Sequence, residues 1–132
     1  KNYSPALTQN YKFVGYLEKD QSKALDAADM VISRAGAGAI FELAAKGKPA
    51  ILVPLPESAA DHQRQNAYEY AEKGAATVIE EGNLLPAVLI GQIEKILQNP
   101  EQLARMSAAA KSFYQPEAAD QIATHILEQW QE

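Results

Sequence analysis

Apolar residues in the first eighty positions form two kinds of run. Some runs are short, contiguous and β-branched; between them lie stretches whose apolar residues recur at helical spacing. Residues 11–17, aromatic and β-branched and ended by charges, predict a short strand. Residues 20–28 put Ala24, Leu25 and Ala28 on one side and predict a helix. Residues 30–33 predict a second strand, apolar enough to be buried on both faces. Gly36 and Gly38 mark a tight loop, and residues 39–46 predict a helix with Ile40, Leu43 and Ala44 turned inward. Gly47 stands where a left-handed helix cap belongs. Residues 50–53 predict a third strand stopped by Pro54. A loop then leads to a helix ending at Lys73, with Asp61 as its N-cap and Gly74 as its terminator. Residues 76–79 predict a fourth strand.

The remainder, 86–132, reads as helical. Leu89, Ile93, Ile96 and Leu97 share one helical face, as do Leu103, Met106, Ala110 and Phe113, and again Ile122, Ile126 and Trp130. Asn99-Pro100 and Gln115-Pro116 separate the three segments. Trp130 fits a core position, the common fate of a large aromatic, or else an anchor on a neighbouring domain. Strand–helix alternation with short connections gives the fold class: α/β, a Rossmann-like parallel sheet with helices on both faces, as one domain over 1–132. Ligands in such sheets lie outside the carboxyl ends of the strands. The loops after Leu17, Ser33, Val53 and Ile79 are therefore where function is expected.

Composition narrows the choices. The 132 residues are 47% hydrophobic and 22% charged, with a net charge of -5, which suits a soluble globular domain. An acidic balance weighs against nucleic acid and against a basic membrane-docking face. There is no cysteine, which excludes disulfide and thiolate chemistry and agrees with a cytoplasmic setting. No apolar run approaches the roughly 20 residues of a membrane span. The chain opens at Lys1 with neither methionine nor a signal-peptide pattern, so a piece of a longer protein, or a trimmed terminus, is expected.

Two segments carry candidate chemistry. In the first, Ser33-Arg34-Ala35-Gly36-Ala37-Gly38-Ala39-Ile40-Phe41-Glu42, small residues join a strand to a helix start. A helix N-terminus offers unpaired N–H groups and a positive dipole end, which suit a pyrophosphate. Glu42, one turn on, can accept two hydrogen bonds from a ribose diol. The competing reading is close packing of helix on sheet, with Glu42 placed for the helix dipole alone. In the second segment, Ala60-Asp61-His62-Gln63-Arg64-Gln65-Asn66, Gln63 and Asn66 share a helix face, and their carboxamides suit sugar hydroxyls. In isolation an ordinary solvated helix start, with Asp61 as cap, is the favoured explanation. His62 falls in the same pocket, His125 on a partly exposed helix, and neither has a second ligand at metal spacing, so no metal site is expected. The nucleophile elbow G-x-S-x-G is absent. The dinucleotide fingerprint fails at Phe41. Glu80-Glu81 reads as a solvated strand end.

Taken together, Ser33-Arg34-Ala35-Gly36-Ala37, Glu42-Leu43-Ala44-Ala45-Lys46-Gly47-Lys48-Pro49-Ala50, Asp61-His62-Gln63 and Asn66-Ala67 resemble the C-terminal, donor-binding domain of the MurG family, over about residues 16–79. That family transfers N-acetylglucosamine from UDP-GlcNAc to lipid-linked muramoyl-pentapeptide (lipid I to lipid II) in peptidoglycan synthesis. The resemblance implies one half of a GT-B glycosyltransferase, an inverting hexosyltransferase that needs no cofactor. It implies that the backbone of Leu17 meets the uracil, and that N–H groups of Ala37, Gly38, Ala39, Ile40 and Phe41 line the pyrophosphate. It implies further that Glu42 holds the ribose hydroxyls, and that Gln63 and Asn66 meet the GlcNAc. Arg34 supports the loop or pairs with Asp29 or Glu42, and is not placed as a ligand contact.

The family's opening strand and its Gly-Ser loop do not precede Lys1, and Phe41 stands where smaller or polar residues are common. An edge left by a missing strand favours self-association. The catalytic base, the lipid-linked acceptor's main contacts and the membrane-facing patch belong to the family's N-terminal domain, so no catalytic residue is expected in this chain. The full protein is expected on the cytoplasmic face of the bacterial inner membrane. Two alternatives remain: a non-catalytic nucleotide-sugar-binding subunit with a separate partner chain, and a UDP-sugar epimerase of the same architecture.

Overall fold

The computed structural model describes residues 10–57 and 61–130. Three short strands, β1 (Val31–Ser33), β2 (Ala50–Leu52) and β3 (Ala76–Val78), form a parallel sheet in the order β1-β2-β3. Val31 aligns with Ala50, and Ala50 with Ala76. A parallel pair needs a crossover. Helix α2 (Ala37–Lys46) supplies it between β1 and β2, and α3 (His62–Glu72) between β2 and β3. Helix α1 (Gln21–Ala27) precedes β1 behind a 3-10 turn over Glu18–Asp20. After β3 come α4 (Pro86–Leu97), α5 (Pro100–Phe113) and α6 (Ala118–Gln129).

The period of two along β2 builds a core on each face of the sheet. Ala50 and Leu52 pack with Ile40, Leu43 and Ala44 of α2 and with Ala67 and Tyr70 of α3. Ile51, between them, points into a second layer with Ile79, Ile96 and Met106. Helix α5 serves both layers, giving Ala110 to the first and Met106 to the second. Tyr70 is fully buried, and its ring meets Phe113 edge-on at 5.1 Å.

The punctuation falls largely where the sequence puts it. Gly47 is left-handed at φ 60° and closes α2; Gly74, at φ 85°, follows α3. Asn99 caps α5 by accepting a hydrogen bond from the Gln102 N–H at 3.0 Å, with Pro100 in the first turn. Helix α2 begins at Ala37, two residues earlier than the apolar pattern indicates, because Gly36 is extended and the chain turns helical immediately after it.

Five expectations are corrected. Residues 11–17 form no strand; Tyr11, Phe13 and Tyr16 are 69%, 80% and 81% exposed. A strand is held by a neighbour's ladder, and among the described residues none runs beside this segment. Strand β1 is not buried on both faces: it lies at the sheet edge, with Ile32 exposed. Asp61 precedes α3 but does not cap it, because it is left-handed at φ 58° and its carboxylate accepts no capping hydrogen bond. Leu97 is exposed at the end of α4, although Leu89, Ile93 and Ile96 pack inward. Helix α6 buries none of its residues, and Trp130 at its end is 85% exposed, so it is no core residue.

Candidate functional site

All three strands point their carboxyl ends the same way, and the segments leaving them lie side by side. Arg34, Ala35 and Gly36 follow β1, Val53 and Pro54 follow β2, and Ile79, Glu80 and Glu81 follow β3. Helices α2 and α3 both start at this edge. The edge is thus assembled from backbone, two helix N-termini and the polar side chains that hold them.

The start of α2 is open. Its first helical hydrogen bond runs from the Ile40 N–H to the Gly36 carbonyl at 3.1 Å, and no side chain among the described residues caps the end. The N–H groups of Ala37, Gly38 and Ala39 precede that bond, as the geometry of a helix start requires. A Cβ added to Gly36 or Gly38 would meet nothing within 4 Å among the described residues. Close packing of helix on sheet, the competing explanation for these glycines, therefore does not account for them. Further along, the Ile40 N–H is engaged by the Gly36 carbonyl, the Ile40 side chain enters the core and the Phe41 ring lies 6.4 Å from that of Phe113.

Glu42 lies beside a cleft of about 320 Å³ formed with Glu18, Lys19, Gln21, Ser22, Leu25, Ala45 and Lys46. Its Oε2 accepts a hydrogen bond from Gln21 Nε2 at 2.6 Å. Leu17 directly precedes Glu18, a residue of this cleft, and its carbonyl accepts from the Asp20 N–H at 2.8 Å. Glu18 is left-handed at φ 40°. Among the described residues, Glu18 and Asp61 are the non-glycines with positive φ. Both stand where a segment enters the candidate site, and such conformations cost on the order of 1–3 kcal/mol each.

Two arginines clasp the strand ends together. Arg34 donates from one guanidinium nitrogen to the carbonyls of Val53 and Pro54 at 3.3 and 3.4 Å and to Glu81 at 2.5 Å. Arg64 pairs with Glu80 at 2.9 Å, and the Tyr68 hydroxyl donates to the same oxygen at 2.9 Å. The Glu80 hydrogen bond raises both the Tyr68 phenol and the Arg64 guanidinium above their ordinary ranges. Arg34 thus supports the loops, as one of its expected roles, but through Glu81 rather than Asp29 or Glu42. Glu80 and Glu81 are anchors for the two arginines rather than merely solvated.

The carboxamides of α3 face the same edge. Asn66 Nδ2 donates to the Ala35 carbonyl at 3.2 Å, and Gln63 Oε1 accepts from the Leu55 N–H at 3.1 Å. Asn66 holds the turn into α2, and Gln63 holds the loop after β2. The structure thus gathers Ala37, Gly38, Ala39, Gln63 and Asn66 at one edge, with Glu42 on the wall of the cleft between α1 and α2 and Leu17 one residue before Glu18, which also lines it. Sequence reasoning missed Gln21, Tyr68 and the pairings of Glu80 and Glu81. Their partners lie 12 to 47 residues away, so no local spacing signals them.

Comparison with known proteins agrees with this geometry. The family described as glycosyltransferase family 28 C-terminal domain matches residues 1–122. A curated relative from Syntrophotalea carbinolica is 48% identical over 103 residues, 78% of this chain and 29% of its own length. One from Pseudomonas savastanoi pv. phaseolicola is 34% identical over 134 residues, 97% of this chain and 38% of its own. Both are named UDP-N-acetylglucosamine–N-acetylmuramyl-(pentapeptide) pyrophosphoryl-undecaprenol N-acetylglucosamine transferase. The crystal structure of Acinetobacter baumannii MurG superposes with a TM-score of 0.74 at 34% identity, covering 89% of this chain and 33% of that one. The chain thus spans about a third of the length of these relatives, and it belongs to the glycosyltransferase family 28 C-terminal domain family.

Proposed function

We propose that this domain binds UDP-GlcNAc for transfer of N-acetylglucosamine to a lipid-linked muramoyl-pentapeptide, the activity named for its relatives. The observation that carries the reading is the uncapped start of α2, where Gly36 and Gly38 border open space rather than packed atoms. A diphosphate there accepts hydrogen bonds from Ala37, Gly38 and Ala39 and meets the positive end of the helix. Glu42 takes the ribose hydroxyls. Leu17 meets the uracil through its N–H, since its carbonyl is engaged by Asp20. Gln63 and Asn66 meet the sugar hydroxyls from the start of α3.

In such a reaction an acceptor hydroxyl displaces UDP from the anomeric carbon. Negative charge grows on the leaving diphosphate, and fixed N–H dipoles stabilise it without reorganising. The rest of the chemistry is positioning. The base and the acceptor contacts belong to a separate N-terminal domain, consistent with the greater length of the relatives. No helix among the described residues is long and apolar enough to cross a membrane. Peripheral attachment at the cytoplasmic face of the inner membrane, through that other domain, completes the proposal.

Calorimetric titration of the chain with UDP and with UDP-GlcNAc tests the reading, with Glu42→Ala alongside. Binding by the parent chain, weakened about ten-fold or more in the variant, is expected for loss of hydrogen bonds to a charged group. A folded chain that binds neither ligand would refute it.

A further inference from the structure

The hydrogen bond from Gln21 to Glu42 joins two elements that the sequence keeps 21 residues apart. Gln21 opens α1, on the far side of the cleft from α2, and both residues line that cleft. A carboxylate has two oxygens and about four acceptor sites. The Gln21 amide occupies one site on Oε2, which fixes the rotation of the carboxylate about its last bond and leaves the remaining sites for other donors. The side chain of Glu42 is otherwise exposed to solvent, where a free carboxylate samples several rotamers.

We propose that Gln21 is a positioning residue: it holds the Glu42 carboxylate in the orientation that accepts both hydroxyls of a ribose, and so sets the preference of this site for ribonucleotides over deoxyribonucleotides. The inference rests on the donor-site reading above. A vicinal diol presents two donors at fixed separation, and a carboxylate meets both only when its plane is aligned with them. A third donor bound to Oε2 supplies that alignment before the ligand arrives, which removes an ordering cost from binding. A nucleotide lacking the 2′-hydroxyl uses only one of the two acceptor directions and gains less from the alignment.

The test compares UDP with 2′-deoxy-UDP on the 132-residue chain, as parent and as Gln21→Met, which keeps the length of the side chain and removes its donor. The parent is expected to prefer UDP. In Gln21→Met, UDP affinity is expected to fall about three- to ten-fold, the cost of ordering one side chain that Gln21 no longer holds in place, with a smaller fall for 2′-deoxy-UDP. The ratio of the two affinities therefore shrinks, which a general structural role does not produce. Gln21→Glu, which places a second carboxylate against Glu42, is expected to lower UDP affinity further. Equal losses for both nucleotides, no loss, or a gain of UDP affinity in Gln21→Met would each overturn the proposal, a gain meaning that Gln21 competes with the diol. Failure of the parent chain to bind UDP would remove the donor-site reading and this inference with it, so the two failures are distinguishable.

Discussion

Gly38→Ala separates a ligand-facing glycine from a packed one. Gly38 lies in the first turn of α2, without positive φ, and an added Cβ meets nothing within 4 Å. Alanine is the better helix former by up to about 1 kcal/mol in a helix interior, and less in a first turn. The variant should therefore be as stable as the parent or more stable by about 0.5 kcal/mol, a rise of about 1–3 °C in Tm for a domain of this size. Binding should move the other way. Every Cβ on a helix tilts towards its N-terminus, so the new methyl leans into the space in front of the N–H groups of Ala37, Gly38 and Ala39. Displacing a diphosphate from one such hydrogen bond costs about 1.5–3 kcal/mol, or roughly ten- to a hundred-fold in affinity for UDP. Thermal denaturation and calorimetric titration on the same sample give both numbers. A drop in stability above about 1 kcal/mol would show that the glycine is needed for packing. Unchanged stability with unchanged UDP affinity would show that the open space is not where the diphosphate binds.

Three further outcomes follow from the same structure. Gly47→Ala should lower the urea midpoint by about 1–2 kcal/mol equivalent with an unchanged m-value, because Gly47 is left-handed and its Cβ would lie 2.5 Å from Lys111 Cε. Tyr70 has a buried hydroxyl without a hydrogen-bond partner among the described residues, and burial pushes its phenol up to about 12. Below pH 10 the phenol is neutral in both folded and unfolded states; above it the unfolded chain ionises first, so stability falls as pH rises from 10 to 12, by about 2–3 kcal/mol. Tyr70→Phe should leave stability at pH 7 unchanged or raised by up to about 1 kcal/mol and should flatten that alkaline fall, as pH-dependent urea titrations would reveal. Arg34→Gln frees the carbonyls of Val53 and Pro54 and unpairs Glu81. Because the pair is half exposed, the global cost should stay near 1 kcal/mol, while amide exchange in residues 53–57 quickens much more than in β2.

What could be read from the sequence was what local periodicity encodes. The i, i+3, i+4 spacing of Ile40, Leu43 and Ala44 gave α2, and the left-handed requirement at Gly47 gave its end. The contiguous apolar run at 50–53 located the central strand, Ala50–Leu52, each of whose side chains is fully buried. Partners and neighbours were not encoded locally. The β-branched and aromatic pattern of residues 11–17 is compatible with a strand, but a strand exists only beside another. Asp61 has the residue type of an N-cap and the wrong backbone conformation for one. The candidate site divides in the same way. The loop into α2 and Glu42 were visible because helix starts and small residues have sequence signatures, whereas the Arg34–Glu81 clasp and the Gln21–Glu42 hydrogen bond are products of the tertiary fold.

Helix α6 leaves the chain's single tryptophan, Trp130, in solvent. The molecule thereby carries an optical label at a place remote from its core. Its emission should be red-shifted already in the native state and should change little when the sheet melts, so fluorescence from this residue is a poor gauge of folding. For the same reason it is a sensitive gauge of association: any surface that covers the apolar side of α6, where Ile122 and Ile126 are also exposed, would shift the emission to the blue. The chain can thus report its own docking without a dye, while circular dichroism reports its folding separately.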